Sequence, residues 1–135
     1  MAYDIQQAVI DFHRKFGHPV RDTPQQIDKA EVRQAFGFIE EELDELYAAL
    51  RLSQGCGPKC CGVEDDREID LVESADAIGD IIVTAVGLGV RLGVDTNMIL
   101  KAIMDSNMTK EANGMGKIKK GADYQPPKIS EALGL

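Results

Sequence analysis

Between Ala77 and Val90 the chain reads AIGDIIVTAVGLGV, and the only polar side chains in that stretch are Asp80 and Thr84. A helix that is apolar on every side has to be buried on most of them. The segment therefore predicts a packed helical interior built around one long helix, from near Glu68 to Leu92, with Gly93 as its stop. At about 100° per residue, Glu73, Asp76, Asp80, Thr84 and Gly87 fall in a single line, a polar seam on an otherwise apolar rod. An isolated carboxylate in such surroundings has to be protonated, paired with a base or bound to a cation. Arg33 and Arg91 are the candidate bases, and neither is placed within the seam by this reading.

The rest of the chain is helical by the same periodicity. DIQQAVIDFHRKFG sets Ile5, Ala8, Val9, Phe12 and Phe16 on one face and ends at Gly17, before Pro19. Phe12 and Phe16 continue the Ile5–Val9 stripe and are expected in the core. A second long helix of about 25 residues, roughly 37 Å, is expected near Asp28 to Leu52, with Phe36, Ile39, Leu43, Leu46, Tyr47 and Leu50 as its apolar stripe. Asp95 is a fair N-cap for a shorter helix through about Asn107. SQGCGPKCCGVEDD reads as a loop on its Gly and Pro content, and residues 108–135 as an irregular tail. No strand pattern stands out. The expectation is one all-α domain over residues 1–135, with four helices, the two long ones antiparallel. So few helices cannot hide a rod that is apolar all round, so self-association is expected, with Gly79, Gly87 and Gly89 permitting close helix approach between subunits or else reflecting tight packing inside one.

Charge narrows the partners. The chain of 135 residues carries a net charge of −8, the wrong sign for gripping a phosphate backbone, so no nucleic acid is expected. Residues 110–128 are nevertheless basic, with Lys110, Lys117, Lys119, Lys120 and Lys128 against Glu111 and Asp123. The longest apolar run, Ile81–Val90, is too short to span a bilayer, and no membrane is expected. Cys56, Cys60 and Cys61 are an odd number in one loop. They suit a reducing cytoplasm (a host's, if the chain is phage-encoded) better than a disulfide framework, and their spacing fits no strong zinc motif.

FGFIEEELDEL places Glu40, Glu41, Glu42, Asp44 and Glu45 on the second helix. Glu40 and Asp44 flank the apolar stripe on one side. Glu42 and Glu45 share the other flank with Phe38 and Ala49. Such a run is ordinarily a solvated face. An antiparallel neighbour would set Glu42 and Glu45 opposite Glu73 and Asp76, where four carboxylates repel unless divalent cations lie between them. All-oxygen ligands favour Mg²⁺ or Mn²⁺. Di-iron bundles need Glu-x-x-His pairs, and neither His13 nor His18 follows a Glu.

Two acid motifs on successive helices, Glu41, Glu42 and Glu45 in EELDE and Glu73, Asp76 and Asp80 in ESADAIGD, resemble those of the MazG-like all-α nucleoside triphosphate pyrophosphohydrolases. That superfamily includes dimeric dUTPases and phosphoribosyl-ATP pyrophosphohydrolase. FHRKFGHP and NMTKEANGMGKIKKGADYQPP look like its N- and C-terminal segments. One departure is Ala77, which stands where many members have glutamate if Asp80 is aligned. The metal set is then Glu73 with Asp76, the preferred reading, or Asp76 with Asp80.

The resemblance implies a four-helix bundle completed as a homodimer or homotetramer. It implies a Mg²⁺-dependent enzyme that hydrolyses a (deoxy)nucleoside triphosphate to monophosphate and pyrophosphate. Glu42, Glu45, Glu73 and Asp76 would be the ligands, with Asp80 adjoining, and Glu41 would be a water-orienting base or a solvent-facing acid. Asn107, Lys110, Lys117, Lys120 and Tyr124 are candidate phosphate contacts. His13, His18 and Phe16 are candidates for the base or sugar pocket, His18 the better placed. A phosphoribosyl-ATP pyrophosphohydrolase-like enzyme and a non-catalytic helical module are the alternatives.

Overall fold

The structure, a computed structural model, describes residues 2–53, 66–112, 114 and 116–135. Its helices are α1 (Ile5–Phe16), α2 (Lys29–Ala49), α3 (Leu71–Leu92), α4 (Thr96–Asn107) and α5 (Ile129–Ala132). Each of the first four is N-capped by an aspartate, Asp4, Asp28, Asp70 or Asp95, whose carboxylate accepts a backbone N–H of the first turn. α1 and α3 end at Gly17 and Gly93, both left-handed. The all-α expectation holds. α3 starts at Leu71, later than Glu68, because Asp70 caps the N–H of Glu73. α2 stops at Ala49, short of Leu52, because Arg51 turns left-handed at φ 60° and Leu52 N–H bonds back to the Tyr47 carbonyl at 2.9 Å.

The long helices run antiparallel. Asp70 N–H donates to the Ala49 carbonyl at one end, and Arg91 meets Glu31 at the other, 3.5 Å apart. α1 crosses α3 through Val9, Val86 and Val90, supported by Ile5, Ile10, Val20 and Val83. Full burial of such a valine contributes roughly 1.5–3 kcal/mol. Two glycines answer to contacts within the chain. A Cβ on Gly87 would stand 3.1 Å from His13 Nε2, and one on Gly89 would stand 3.0 Å from Thr96 Oγ1. Gly79 faces open space.

Three expectations need correction. The face of α2 that turns inward is Ala35, Ile39, Glu42, Leu46 and Ala49, with Ala35 and Ala49 fully buried. Phe36 and Leu43, the heart of the expected stripe, stay about half exposed at 51% and 43%. Small residues face α3 because they let the helices close together: Ser74 and Ala77 are buried on its side. Phe12 and Phe16 are not core either; both lie half exposed at the rim of α1 and stack on each other with ring centroids 4.9 Å apart. The tail, finally, is not wholly irregular. β1 (Glu111–Ala112) and β2 (Ile118–Lys119) pair antiparallel, and α5 follows. α4 leaves α3 at 113° and packs mainly on α5. The three cysteines lie outside the described residues.

Candidate active site

A cavity of about 350 Å³ opens between α1, the connection after it, α2 and α3. Ala35, Phe38 and Glu42 line it from α2; Arg91, Gly87, Thr84 and Asp80 line it from α3; Phe12, His13 and His18 close it from the N-terminal side. Seven residues of helix separate Ala35 from Glu42, so the lining extends roughly 10 Å along α2. Carboxylates stand at one end and aromatic rings at the other.

Glu42 is the outlier of the carboxylate end. It occupies the central position of the inward face of α2, where Ile39 and Leu46 sit one turn to either side. Its Oε2 is buried and has no hydrogen-bond partner among the described residues. Burial first, then the charges of Glu45 and Asp80, a hydrogen bond of the carboxyl group with Glu45, and the charge of Glu41 push it above the ordinary carboxylate value. No Lys or Arg forms an ion pair with Glu42 or Asp80 among the described residues. Asp80 is half-buried and lines the cavity. Glu41, Glu45, Glu73 and Asp76 are exposed. Counting along the antiparallel pair, Glu45 comes level with Asp76 and Glu42 with Asp80. Among the described residues, no three His, Cys, Asp or Glu side chains are already drawn together as a ligand cluster. An orphaned, desolvated carboxylate oxygen ringed by acids nevertheless fits a hard divalent cation, whose charge would satisfy it.

The aromatic end is held from behind. His13 is 4% exposed, and its Nδ1 donates to the Pro19 carbonyl at 2.9 Å, which leaves Nε2 with its lone pair above Gly87. His18 packs edge-on against His13 and Phe12, with centroids 5.3 and 6.4 Å away. Arg91, 3% exposed, donates to His18 Nδ1 and Gln34 Oε1, each at 3.4 Å. Its charge is met by Glu31, which Arg21 grips with two hydrogen bonds at 2.8 and 2.9 Å. Arg91 was not singled out as a site residue, yet it lies four residues past Gly87 and so extends the polar seam. It pairs with Glu31 and leaves the acids of the seam alone. Of the expected pocket residues, His13 and His18 line the cavity, and Phe12 takes the place expected of Phe16.

Burial is the main cause that lowers the His13 pKa from its ordinary value of 6.5, with nearby Arg91 and His18 adding to it against the Pro19 hydrogen bond. The unfolded chain therefore takes up that proton first as pH falls. His13 contributes stability in full above 6.5, and the contribution is lost as pH drops toward the folded value. The melting temperature of His13→Gln is expected to fall less steeply than wild type from pH 7.5 to about 5.5. Parallel slopes in the two melting series would refute the assignment.

Asn107, Lys110, Lys117, Lys120 and Tyr124 do not line this cavity. They belong to the end of α4 and the hairpin, where Lys120 Nζ sits 5.0 Å from the centre of the Tyr124 ring.

The family model for phosphoribosyl-ATP pyrophosphohydrolase matches residues 9–107, from α1 through the end of α4. The chain belongs to that family. It is thus a member of the MazG-like all-α superfamily and a hydrolase of phosphoric anhydrides. Among curated proteins no sequence matches it. The matched residues contain both acid motifs and every residue lining the cavity, whereas the lysine-bearing hairpin falls beyond them.

Proposed function

We propose that this pyrophosphohydrolase acts on a nucleoside or deoxynucleoside triphosphate with Mg²⁺, or Mn²⁺ in its place, and releases monophosphate and pyrophosphate in a reducing cytoplasm. The observation that carries the reading is a single cavity with aromatic rings at one end and the orphaned Glu42 carboxylate beside Asp80 at the other. A base would enter between Phe12, His18 and Phe38, and His13 Nε2 would accept a hydrogen bond from its edge or from the sugar. Glu42, Glu45, Glu73 and Asp76 would hold the cation, with Asp80 adjoining. A divalent cation so held neutralises phosphate charge and lowers the pKa of its bound water. Glu41, exposed beside Glu42, is the candidate to orient the attacking water. Asn107, Lys110, Lys117, Lys120 and Tyr124 would meet the phosphates.

Association of at least two copies belongs to the same reading. Leu71, Ile78 and Ile82 share one face of α3 and are 72%, 49% and 49% exposed, with Gly79 open beside them. Water is poor cover for such a face.

The family match favours a second reading, phosphoribosyl-ATP itself as substrate. One screen separates them: the common NTPs and dNTPs and phosphoribosyl-ATP, each with Mg²⁺ and with chelator, resolving monophosphate from diphosphate products. Pyrophosphate release from a plain triphosphate supports the first reading. Release from phosphoribosyl-ATP alone replaces it with the second. No release, with no Mg²⁺-induced rise in melting temperature, overturns both.

A further inference from the structure

Two rings at the aromatic end of the cavity have their protons fixed by their partners. A carbonyl oxygen only accepts and a guanidinium only donates. The Pro19 carbonyl, 2.9 Å from His13 Nδ1, therefore sets the His13 proton on Nδ1 and leaves Nε2 as an acceptor. Arg91, 3.4 Å from His18 Nδ1, sets the opposite tautomer, in which His18 accepts on Nδ1 and carries its proton on Nε2. Burial lowers the His13 pKa, which keeps that ring neutral and its Nε2 lone pair available. Gly87 leaves this nitrogen uncovered, since a Cβ there would stand 3.1 Å from it. Among the described residues neither Nε2 has a hydrogen-bond partner. The ring centroids are 5.3 Å apart, so one acceptor and one donor stand within reach of a single small ligand in the cavity.

Behind the two rings the wall is closed. His13 and Arg91 are buried, and Arg91 is held by Gln34, by Glu31 and, through Glu31, by Arg21. At about 350 Å³ the cavity lies near the small end of ligand pockets, which run from ~300 to ~1,000 Å³. A nucleotide whose phosphates reach Glu42 has its glycosidic bond turned toward that end. The base edge entering the closed end is then the one remote from the glycosidic bond. In every common base this is the Watson–Crick edge, which sets a hydrogen-bond donor beside an acceptor. Phosphoribosyl-ATP carries its second ribose phosphate on N1 of adenine, in the middle of that edge.

We infer that His13 and His18 together read an unsubstituted Watson–Crick edge, and that Arg91 is the positioning residue that makes His18 a donor there. The substrate class is then a nucleoside triphosphate whose base is bare on that edge, which excludes phosphoribosyl-ATP despite the family match. His18 Nε2–H meets the acceptor of the base and His13 Nε2 meets its donor. Any common base satisfies the pair, so the device selects against substitution and not for one base. A blocked edge leaves both nitrogens unpaired and drives the substituent toward Arg91, two costs at once. This deepens the triphosphate reading above and rests on it.

Edge-methylated substrates test it on the wild-type protein. The triphosphate turned over fastest is compared, with Mg²⁺, with its form methylated at N1 of a purine or N3 of a pyrimidine. The methylated form is expected to lose on the order of 10²-fold or more in kcat/KM, and phosphoribosyl-ATP to show no turnover. Either one turned over as fast as the parent would overturn the inference and leave the pyrophosphohydrolase standing. Arg91→Lys keeps a cation for Glu31 but loses the reach to His18 Nδ1. It is expected to raise KM roughly tenfold with kcat little changed, and to narrow the discrimination against methylated bases. A lower kcat with discrimination intact would reduce Arg91 to a structural role. Nitrogen-15 spectra of the tag-free protein, which has two histidines, should show one ring protonated at Nδ1 and the other at Nε2. Two rings of the same tautomer would refute the pairing. If no nucleotide is hydrolysed, the triphosphate reading falls by itself, and the pair is judged by titrating the four nucleoside monophosphates and their edge-methylated forms against the ring signals. Shifts of both Nε2 signals with a plain monophosphate alone support it; no shift, or equal shifts with the methylated form, sinks it.

Discussion

Glu42→Gln is expected to lower turnover by on the order of 10²–10³-fold while leaving the protein folded and, without divalent cations, more heat-stable. The two effects share one cause. Glu42 sits on the inward face of α2 with a buried, unpartnered oxygen and a carboxyl pushed up by burial and by Glu45, Asp80 and Glu41. The folded protein therefore holds that proton at pH values where the unfolded chain has released it. Its destabilising effect grows as pH rises from the ordinary value of 4.5 through the raised one and is complete above it. Glutamine keeps the shape and removes the charge, and its amide can donate toward the neighbouring carboxylates. Melting curves in chelator should place the variant above wild type at neutral pH. Mg²⁺ should raise the wild-type melting temperature and barely move that of the variant. A variant that melts below wild type in chelator would show that Glu42 is an ordinary helix acid. If Glu42→Gln and Asp76→Asn both kept wild-type turnover, the ligand assignment would fail even though the family stands.

Much of the fold could be read from the chain because its punctuation is chemical. Asp28 and Asp95 each open a helix where one was expected, and Gly17 and Gly93 each close one, whereas the Asp70 cap went unread and the start of α3 was set near Glu68. These signals act within a turn, so they survive without knowledge of the tertiary structure. The inward face of α2 did not show itself in this way. Phe36 and Leu43 advertise hydrophobicity, but which apolar face finds a partner depends on how closely the backbones approach, and here Ala35 and Ala49 decide it. The same register places Glu42 at a core position, a 4-3-4-3 spacing with Ala35, Ile39, Leu46 and Ala49 that sequence alone does contain.

The site divides along the same line. Glu42 and His18 were singled out from motif and context, and both line the cavity. Asp80, which adjoined the preferred ligand pair and belonged to the alternative one, lies in the cavity, while Glu73 and Asp76 stay exposed, because the helix pairing sets which turn of the seam meets Glu42. Arg91 extends that seam, but its partner Glu31 is sixty residues away and held by Arg21, a relation no local pattern encodes.

Gly93→Ala is expected to be the most damaging single methyl group in the described chain, at about 2–5 kcal/mol. Two costs coincide there. Gly93 closes α3 at φ 74°, a conformation that costs an L-residue roughly 1–2 kcal/mol. Its added Cβ would also fall 2.0 Å from the Thr23 carbonyl oxygen. That oxygen belongs to backbone and has little room to yield. The 18–28 connection is tied to the end of α3 by Arg21 N–H to the Val90 carbonyl at 3.1 Å and Gln25 N–H to the Leu92 carbonyl at 3.0 Å. Moving it would disturb Arg21, Glu31 and Arg91 together and loosen the aromatic end of the cavity. Gly17 and Gly121 supply the controls. Gly17 has φ 71° but open space around a notional Cβ, so alanine there bears the backbone cost alone. At Gly121 the Cβ would meet the Glu111 carboxyl group, the far end of an exposed side chain that can swing aside, and the cost should stay below about 1 kcal/mol. Urea unfolding of the three variants should rank Gly93→Ala well below Gly17→Ala and Gly121→Ala nearest to wild type. Equal midpoints for Gly93→Ala and Gly17→Ala would mean that the connection is not held against α3 as the structure describes.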